Sequence, residues 1–199
     1  MSILIVRQDD KIEEWKNALV SADGNLEVYS YLEPHTKQNI KMALLWKQPP
    51  NSLLGYEHLQ CIASAGAGVD FILEDHTLPT DIPIARLVDE YLAKDMSEHV
   101  LSVILAQLKN LYDYRVEQFE QKWLPRSYSR ISDTTVGIMG LGALGKQLAE
   151  DLVSFGFKVQ GWSASQNEIT QVKTFAGDQE LPEFLKTTEV LVCLIPLTR

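Results

Sequence analysis

Short apolar runs alternate along this chain with segments that have helical periodicity. Runs typical of strands occur at residues 2–6, 26–31, 42–46, 59–65, 135–140, 158–162 and 190–196. Between the first two runs, apolar residues recur three and four positions apart over residues 11–22, which predicts an amphipathic helix with Val20 on its buried face. Because strands that alternate with helices are typical of parallel sheets, the pattern predicts an α/β fold.

The pattern also divides the chain into parts. Helical periodicity extends over residues 95–118, and the polar, proline-containing stretch after it is typical of a linker or arm. We therefore predict a substrate-binding domain at residues 1–95, a connecting helix and arm at 96–130, and a second domain at 131–199. The last run, VLVCLIP, is apolar throughout, which predicts a strand buried on both faces.

Composition narrows the class of protein. The chain has 199 residues, 45% of them hydrophobic, so it can bury a core. Its net charge of −9, without any basic cluster, argues against nucleic acid and against an anionic membrane surface as partners. No apolar stretch reaches membrane-spanning length, and the acidic residues after the first run argue against a signal peptide, so we expect a cytoplasmic protein. Cys61 and Cys193 lie in apolar runs, and we expect both to be buried, reduced thiols rather than a disulfide or metal site.

A glycine-rich sequence joins a predicted strand to a predicted helix in the second half. Residues 140–145 fit the pattern G-x-G-x-x-G, with a helix predicted at 143–155 and another strand after it. Gly140 would permit a tight turn, Gly142 would let a pyrophosphate approach the backbone, and Gly145 would let the helix pack closely on the strand. Amides at the start of the helix would then hold the phosphates. This context predicts a dinucleotide-binding unit, and a plain glycine turn is the alternative.

The residues at the end of the strand predicted at 158–162 help to distinguish an NAD site from an NADP site. An NAD-binding unit usually has Asp or Glu there to bind the ribose hydroxyls, but this sequence has no acidic residue before Glu168. Without a carboxylate to repel a 2′-phosphate, NADP becomes acceptable, and Ser163 and Ser165 could donate hydrogen bonds to it. Because no arginine lies beside these serines, the sequence leans toward NADP and leaves NAD possible, and both serines could equally be ordinary loop residues.

A second cluster of small residues follows the strand predicted at 59–65. The sequence Ala-Gly-Ala-Gly-Val-Asp at 65–70 precedes a helical pattern, and small residues at such a junction leave backbone N–H groups accessible to an anion. We consider this turn a candidate site for a substrate carboxylate. A tight structural turn without a ligand is the alternative.

In this order, these features resemble the D-2-hydroxyacid dehydrogenase family, and within it the glyoxylate/hydroxypyruvate reductase A type. The resembling segments are ALLWKQPP, CIASAGAGVDFIL, PIARLVD, VGIMGLGALGKQLAEDL, GWSAS and LVCLIPLTR. The resemblance implies a flavodoxin-like parallel-sheet substrate domain followed by part of a Rossmann domain. It also implies a homodimer that reduces small 2-oxo acids to 2-hydroxy acids with NADPH or NADH.

The resemblance assigns contacts by position. It implies cofactor contacts at Gly142, Ala143 and Leu144 for the pyrophosphate, at Trp162 to Ser165 for the adenosine ribose, and at Pro196 and Thr198 for the nicotinamide. It implies substrate contacts at the backbone amides of Ala67, Gly68 and Val69, with Trp46 as a pocket wall, although core packing also accounts for Trp46. Ala164 stands where reductases of this type commonly carry a basic residue, which leaves the choice between NADP and NAD open.

The family's catalytic groups find no counterpart in this sequence. The resemblance implies an arginine that holds the oxo acid and a Glu–His pair whose His protonates the carbonyl, all after the strand that matches residues 190–196. None of the four histidines substitutes for them, and Arg199 comes too early. We therefore expect a carboxy-terminally truncated enzyme that is inactive alone, whose nucleotide sheet has strand order 3-2-1-4 and an apolar edge at 190–196. The alternative is a non-catalytic dinucleotide-binding or sensor module.

Overall fold

The chain folds into two compact units. A computed structural model describes residues 1–79 and 81–195, and it divides the chain into Met1–Asp89 and Glu90–Arg199. The three-part division at residues 95 and 130 stays a prediction. None of the helices within the described ranges combines the length and the apolar character that crossing a bilayer would require.

The first unit is built on a five-stranded parallel sheet. Its strands are β1 (Ser2–Arg7), β2 (Glu27–Ser30), β3 (Met42–Trp46), β4 (Cys61–Ser64) and β5 (Ile84–Ala85), and its helices are α1 (Ile12–Ala22) and α2 (Asp70–Leu73). The strands are ordered β2-β1-β3-β4-β5, and all neighbours run parallel. This is the order of flavodoxin-like sheets, so the predicted class is confirmed for this unit.

Apolar side chains of β1 reach both faces of this sheet, which explains its unbroken hydrophobic run. Leu4 and Val6 belong to one buried cluster, whereas Ile3 and Ile5 belong to another on the opposite face. Helix α1 packs against the second cluster through its apolar stripe. Val20, which we predicted on that stripe, is instead 42% exposed, because it lies at the margin of the contact.

The second unit contains a four-stranded parallel sheet. Its strands are β6 (Thr135–Met139), β7 (Lys158–Ser163), β8 (Lys173–Ala176) and β9 (Val190–Cys193), and its helices are α3 (Glu90–Leu108), α4 (Leu111–Phe119), α5 (Ala143–Phe155) and α6 (Gly177–Lys186). The order β8-β7-β6-β9 is the predicted 3-2-1-4 arrangement of a Rossmann half. Gly156 ends α5 in the left-handed conformation, as its position in the sequence predicted.

The single helix predicted at 95–118 is two helices. α3 begins earlier, at Glu90, and the helical path breaks before α4, where Asn110 has φ of 55°. Asparagine tolerates this left-handed conformation better than most residues, and its side-chain amide donates a hydrogen bond to the Ser127 carbonyl oxygen at 2.8 Å. The prediction was wrong because the apolar periodicity continues across the break.

Strand β9 is less buried than its sequence predicts. Its side chains alternate between half-buried and exposed, and Leu191 is 48% exposed. The cause is its position, because within the described residues β9 pairs only with β6 and forms an edge of the sheet. The expectation of two buried thiols was wrong for Cys193, which is free and exposed, while Cys61 is free and half-buried.

Candidate dinucleotide and substrate sites

The glycine turn lies at the carboxyl end of β6, where it leads into α5. Gly140 has φ of 103°, a conformation that favours glycine, and its amide donates a hydrogen bond to the Trp162 carbonyl oxygen at 2.8 Å. Gly142 is the N-cap of α5, and the first helical hydrogen bond runs from the Lys146 amide to its carbonyl oxygen at 2.9 Å. The first-turn amides before Lys146 therefore have no partner inside the helix.

A dinucleotide-binding turn requires one tightly packed glycine and one glycine with open space beside it, and this turn has both. A Cβ atom on Gly145 would lie 1.9 Å from the Gly140 carbonyl oxygen, so α5 packs against the turn at van der Waals distance. A Cβ atom on Gly142 would meet nothing within 4 Å among the described residues. Gly142 and Ala143 are exposed and Leu144 is half-buried. The site therefore has open space where a pyrophosphate would approach the backbone, and a tight contact where helix meets strand.

Leu141 anchors the turn from its inner side. Its side chain is buried against Gly161 of β7, where an added Cβ atom would lie only 2.5 Å from the leucine Cδ2 atom. With Leu141 turned into the core, the exposed positions of the turn are the glycine and alanine at the start of α5. Gly161 was not among our predicted site residues; the signal that could have found it is a glycine inside a predicted strand, which often marks a close approach of another group.

The charges around the start of α5 favour an anion. Within the described residues, the first turn of α5 carries no acidic side chain, and the exposed Lys146 follows immediately. The amino end of a helix also carries a partial positive charge from its aligned peptide dipoles. Unpaired amides, a favourable dipole and an accessible surface together make this turn suitable for phosphate groups.

The end of β7 contains the predicted ribose-binding positions, and the structure separates their roles. Trp162 is only 9% exposed, and its indole N–H donates to the Gly177 carbonyl oxygen at 2.9 Å, so its ring belongs to the core. The Ser163 hydroxyl donates to the Ser165 carbonyl oxygen at 2.7 Å and accepts from the Asn167 side chain at 2.8 Å. Asn167, which the sequence analysis missed, thus holds the loop together.

Of the two serines in this loop, Ser165 is the better placed to contact a ligand. Ser165 is exposed, and so is Ala164, the position where a basic residue is common in the resembling family. The Ser163 hydroxyl already has two partners within the loop, so it would have to exchange one to reach a ligand. Pro196 and Thr198, predicted to line the nicotinamide, lie outside the described residues.

In the first unit, the small-residue turn follows β4 and is held by one serine. The Ser64 hydroxyl donates to the Gly68 carbonyl oxygen at 2.7 Å and accepts from the Gly66 amide at 3.2 Å. The Leu87 amide donates to the Gly66 carbonyl oxygen at 3.2 Å, which fixes the segment after β5 against the turn. Gly68 is exposed, with Ala67 and Val69 half-buried. A substrate role for the three amides stays a prediction.

Trp46, at the carboxyl end of β3, lies directly on this turn. A Cβ atom on Gly66 would overlap the Trp46 ring, so glycine is required for the ring to approach. The ring also makes an edge contact with Phe71, with centroids 5.9 Å apart. Trp46 is half-buried, and it therefore combines packing against Gly66 with a surface beside the turn.

Other candidate groups in the first unit already have partners. Arg7, at the end of β1, makes a two-bond ion pair with Asp9 at 2.8 and 2.7 Å, and this arginine lowers the pKa of Asp9 to about 2. His35 contacts the Glu33 carbonyl oxygen and the Tyr56 hydroxyl, each at 2.7 Å. Over residues 1–79 and 81–195, no group of three His, Cys, Asp or Glu side chains is arranged to hold a metal ion.

The chain is similar to known proteins in sequence and in structure. Residues 101–199 match the family described as D-isomer specific 2-hydroxyacid dehydrogenase, NAD binding domain. The glyoxylate/hydroxypyruvate reductase A of Serratia proteamaculans is 34% identical over 203 residues, which cover 100% of this chain and 64% of that protein. The enzyme of the same name from Klebsiella pneumoniae is 40% identical over 161 residues, covering 78% of this chain and 51% of its own length.

Solved structures give the same result. The D-isomer specific 2-hydroxyacid dehydrogenase from Xanthobacter autotrophicus, in complex with NADPH and MES, superposes with a TM-score of 0.91 at 30% identity, over 99% of this chain and 64% of that one. The NADPH-dependent glyoxylate/hydroxypyruvate reductase from Sinorhizobium meliloti, in complex with NADP and sulfate, gives 0.88 at 35% identity, over 99% and 63%. This chain thus spans a little less than two thirds of the length of such relatives. The matched sequence, the two sheet orders and the glycine turn lead to one conclusion: the chain belongs to the D-isomer specific 2-hydroxyacid dehydrogenase family.

Proposed function

We propose that this chain provides the substrate-binding unit and the dinucleotide-binding turn of an NADP(H)-dependent reductase of small 2-oxo acids, such as glyoxylate and hydroxypyruvate. The observation that carries the proposal is the turn at residues 140–145, where Gly142 has open space and the first amides of α5 have no partner among the described residues. The names of the relatives from Serratia and Sinorhizobium support the same activity and cofactor.

The residues of this chain would bind and orient the reactants. The amides of Gly142, Ala143 and Leu144 would hold the pyrophosphate, and those of Ala67 to Val69 would hold the substrate carboxylate, with Trp46 excluding water beside it. When bound, the dinucleotide supplies the hydride for the reaction. We assign no catalytic acid to these residues and propose that the arginine and the Glu–His pair of the complete enzyme are supplied from outside them.

Pro196 and Thr198 are proposed neighbours of the nicotinamide. Trp162 would contribute to the ribose site only through its backbone, because its ring is buried. Ser165 would face the 2′-phosphate, whereas the Ser163 hydroxyl would mainly keep the loop in shape.

The cofactor preference gives the first test. Without a carboxylate at the end of β7, we expect NADP⁺ to bind more tightly than NAD⁺ in isothermal titration calorimetry. Replacing Ala164 with arginine should strengthen NADP⁺ binding about tenfold, because a guanidinium pairs well with a phosphate, and should leave NAD⁺ affinity nearly unchanged. Ser154→Arg adds the same charge at the other end of α5 and serves as the control. Tighter binding of NAD⁺ than of NADP⁺ to the unchanged chain would contradict the assignment.

A non-catalytic dinucleotide-binding module is the second candidate function. It is favoured by the same turn, because that turn binds a cofactor whether or not a reaction follows. The mass of the natural protein, measured by mass spectrometry after purification from its source, separates the two. A mass about half as large again as 22.5 kDa supports the reductase, and a mass near 22.5 kDa supports the module.

We further propose that the partner of this chain is a second copy of itself, bound through residues 111–128, called here the interaction arm. Apolar side chains of the arm are widely exposed: Leu111, Tyr112, Val116, Phe119, Trp123, Leu124 and Tyr128. An exposed apolar area of this kind is typical of an interaction surface. The arm has three basic and three acidic residues, whereas the whole chain has a net charge of −9, so charge repulsion between two copies is weaker at this surface than the net charge implies.

Charged substitutions in the arm should abolish self-association. Phe119 is 91% exposed and Trp123 is 84% exposed, so Phe119→Asp together with Trp123→Asp should leave the fold intact and weaken a dimer at least about 100-fold. Leu32→Asp, at another exposed apolar position in the first unit, is the matched control. Sedimentation velocity should give a two-chain species for the unchanged chain and the control, and a monomer for the double variant. A monomeric unchanged chain at micromolar concentration would refute the interface.

A further inference from the structure

We infer that Arg86 is a specificity-determining residue that holds the carboxylate of the 2-oxo acid against the turn at residues 66–69. This inference deepens the proposed function and rests on it. It adds a side-chain cation to a site otherwise formed by backbone amides and Trp46.

The backbone positions Arg86 beside the turn from two sides. Ala85 pairs with Ala63 in the parallel register of β4 and β5, so Arg86 stands next to Ser64, the residue that holds the turn. On the other side of Arg86, the Leu87 amide donates to the Gly66 carbonyl oxygen at 3.2 Å. With both flanking residues fixed, the backbone of Arg86 is held beside the turn.

The guanidinium itself reaches the turn and retains donors for a ligand. Its Nη1 atom lies 3.5 Å from the Ala67 carbonyl oxygen, a distance at the outer limit of a hydrogen bond. Arginine has further N–H groups that remain available, and Arg86 is exposed. Among the described residues, none of the ion pairs includes Arg86, whereas Arg7 on the same sheet is fully engaged by Asp9.

The charge balance of the turn explains why a cation is needed there. The Asp70 carboxylate lies beside the turn, since a Cβ atom on Gly68 would be 3.6 Å from its Oδ2 atom. By itself this negative charge opposes the binding of a second carboxylate at the amides of residues 67–69. Arg86 offsets it, and its planar group can form two parallel hydrogen bonds with a carboxylate. The ligand that fits is therefore a small, planar, monoanionic acid.

Amide NMR of the 199-residue chain tests this inference without relying on activity. Sodium oxamate, an unreactive planar analogue of a 2-oxo acid, is titrated at constant ionic strength, and the amide signals of Gly66, Ala67, Gly68 and Val69 report binding. Acetamide, a neutral molecule of similar size, is the ligand control. We expect oxamate to shift these signals and acetamide to leave them unchanged.

Variants at position 86 then test whether oxamate binding depends on the Arg86 side chain. Arg86→Gln should weaken oxamate binding about tenfold or more, and Arg86→Lys should weaken it less because the charge is retained. Lys41→Gln removes the same charge at the amino end of the central strand β3, whereas the turn follows the carboxyl end of the parallel strand β4, and should bind oxamate like the unchanged chain. Unchanged Gly66 and Gly68 signals in the free variants verify that the turn keeps its shape.

The outcomes separate this inference from the proposed function. Equal oxamate affinity in Arg86→Gln and the unchanged chain, or equal shifts with acetamide, would overturn the role of Arg86. The same samples are titrated with NADP⁺, which reports on Gly142, Ala143 and Leu144. If NADP⁺ fails to bind while oxamate binding depends on Arg86, the cofactor proposal fails and the carboxylate site stands.

Discussion

Replacing Gly142 with aspartate is expected to abolish NADP(H) binding while leaving α5 as stable as it is in the unchanged chain. Gly142 has extended backbone angles, φ −73° and ψ −162°, that any residue adopts, and an added Cβ atom meets nothing within 4 Å in the described structure. Aspartate is also a favourable N-cap, because its carboxylate accepts hydrogen bonds from first-turn amides. The substitution should therefore be tolerated by the fold.

The same features should make this substitution strongly unfavourable for binding of the cofactor. The carboxylate would occupy the space where the pyrophosphate approaches, repel its charge and take the amides that would otherwise bind it. We expect at least about a 100-fold loss of NADP⁺ affinity, since both the charge and the donors are lost. Calorimetric titration measures this loss, and thermal unfolding should give an unchanged or slightly higher Tm.

Gly24 offers a matched control for this experiment. It too has open space where a Cβ atom would be, and Gly24→Asp introduces the same charge in the first unit. We expect NADP⁺ affinity to be retained in this control. If Gly142→Asp bound NADP⁺ as well as Gly24→Asp does, the phosphates would not be held at this turn.

Gly145→Ala is expected to have the largest effect on stability. Its Cβ atom would lie 1.9 Å from the Gly140 carbonyl oxygen, a backbone atom that no side-chain rotation can move away. The start of α5 would have to shift away from β6, which disturbs the buried contacts of Leu148 and Leu152. We expect a loss of about 3 kcal/mol in the free energy of unfolding of the second unit, at the upper end of the usual cost of overpacking.

Thermal unfolding measures the effect of this methyl group. For a unit of this size we expect Tm to fall by about 10 °C or more. Gly142→Ala adds the same methyl group three positions earlier, where space is open, and should change Tm little. A Tm for Gly145→Ala equal to that of Gly142→Ala would show that α5 does not pack on the turn as described.

The arrangement of strands could be predicted because their sequence signals are local. The apolar run of β3 coincides with the strand at Met42–Trp46, and the fingerprint with its flanking elements located β6, α5 and β7. The unbroken hydrophobicity of β1 arises because its neighbouring residues pack on opposite faces of a parallel sheet. The flavodoxin-like class of the first sheet and the 3-2-1-4 order of the second were expectations from the family resemblance, whereas the short strands β5 and β8 had no predicted run.

Features that depend on pairing between distant residues could not be predicted. The apolar run of β9 alone suggested a buried Cys193; the exposure of this thiol follows from the edge position of the strand, which the expected order 3-2-1-4 already implied. The break at Asn110 is stabilised by a bond to the Ser127 carbonyl oxygen, seventeen residues away, while the apolar period continues through it.

The candidate sites also contain some features that the sequence predicts and others that only the fold produces. The turn at Gly140, the open space at Gly142 and the close packing at Gly145 could be predicted, because each depends on the absence of a side chain at a fixed place in a motif; their contacts with a cofactor stay predictions. The position of Arg86 could not, because its contact with the Ala67 carbonyl oxygen depends on the pairing of β4 with β5. The engagement of the Ser163 hydroxyl with Asn167 likewise arises from the fold of a loop.

Residue-resolved amide shifts on addition of NADP⁺ to the isotope-labelled chain test the central claim most directly. The largest shifts should fall on Gly142, Ala143 and Leu144, with smaller ones at Ser165. Saturable binding that leaves the amides at the start of α5 unaffected, or an absence of binding at millimolar NADP⁺, would contradict a phosphate-binding role for this turn.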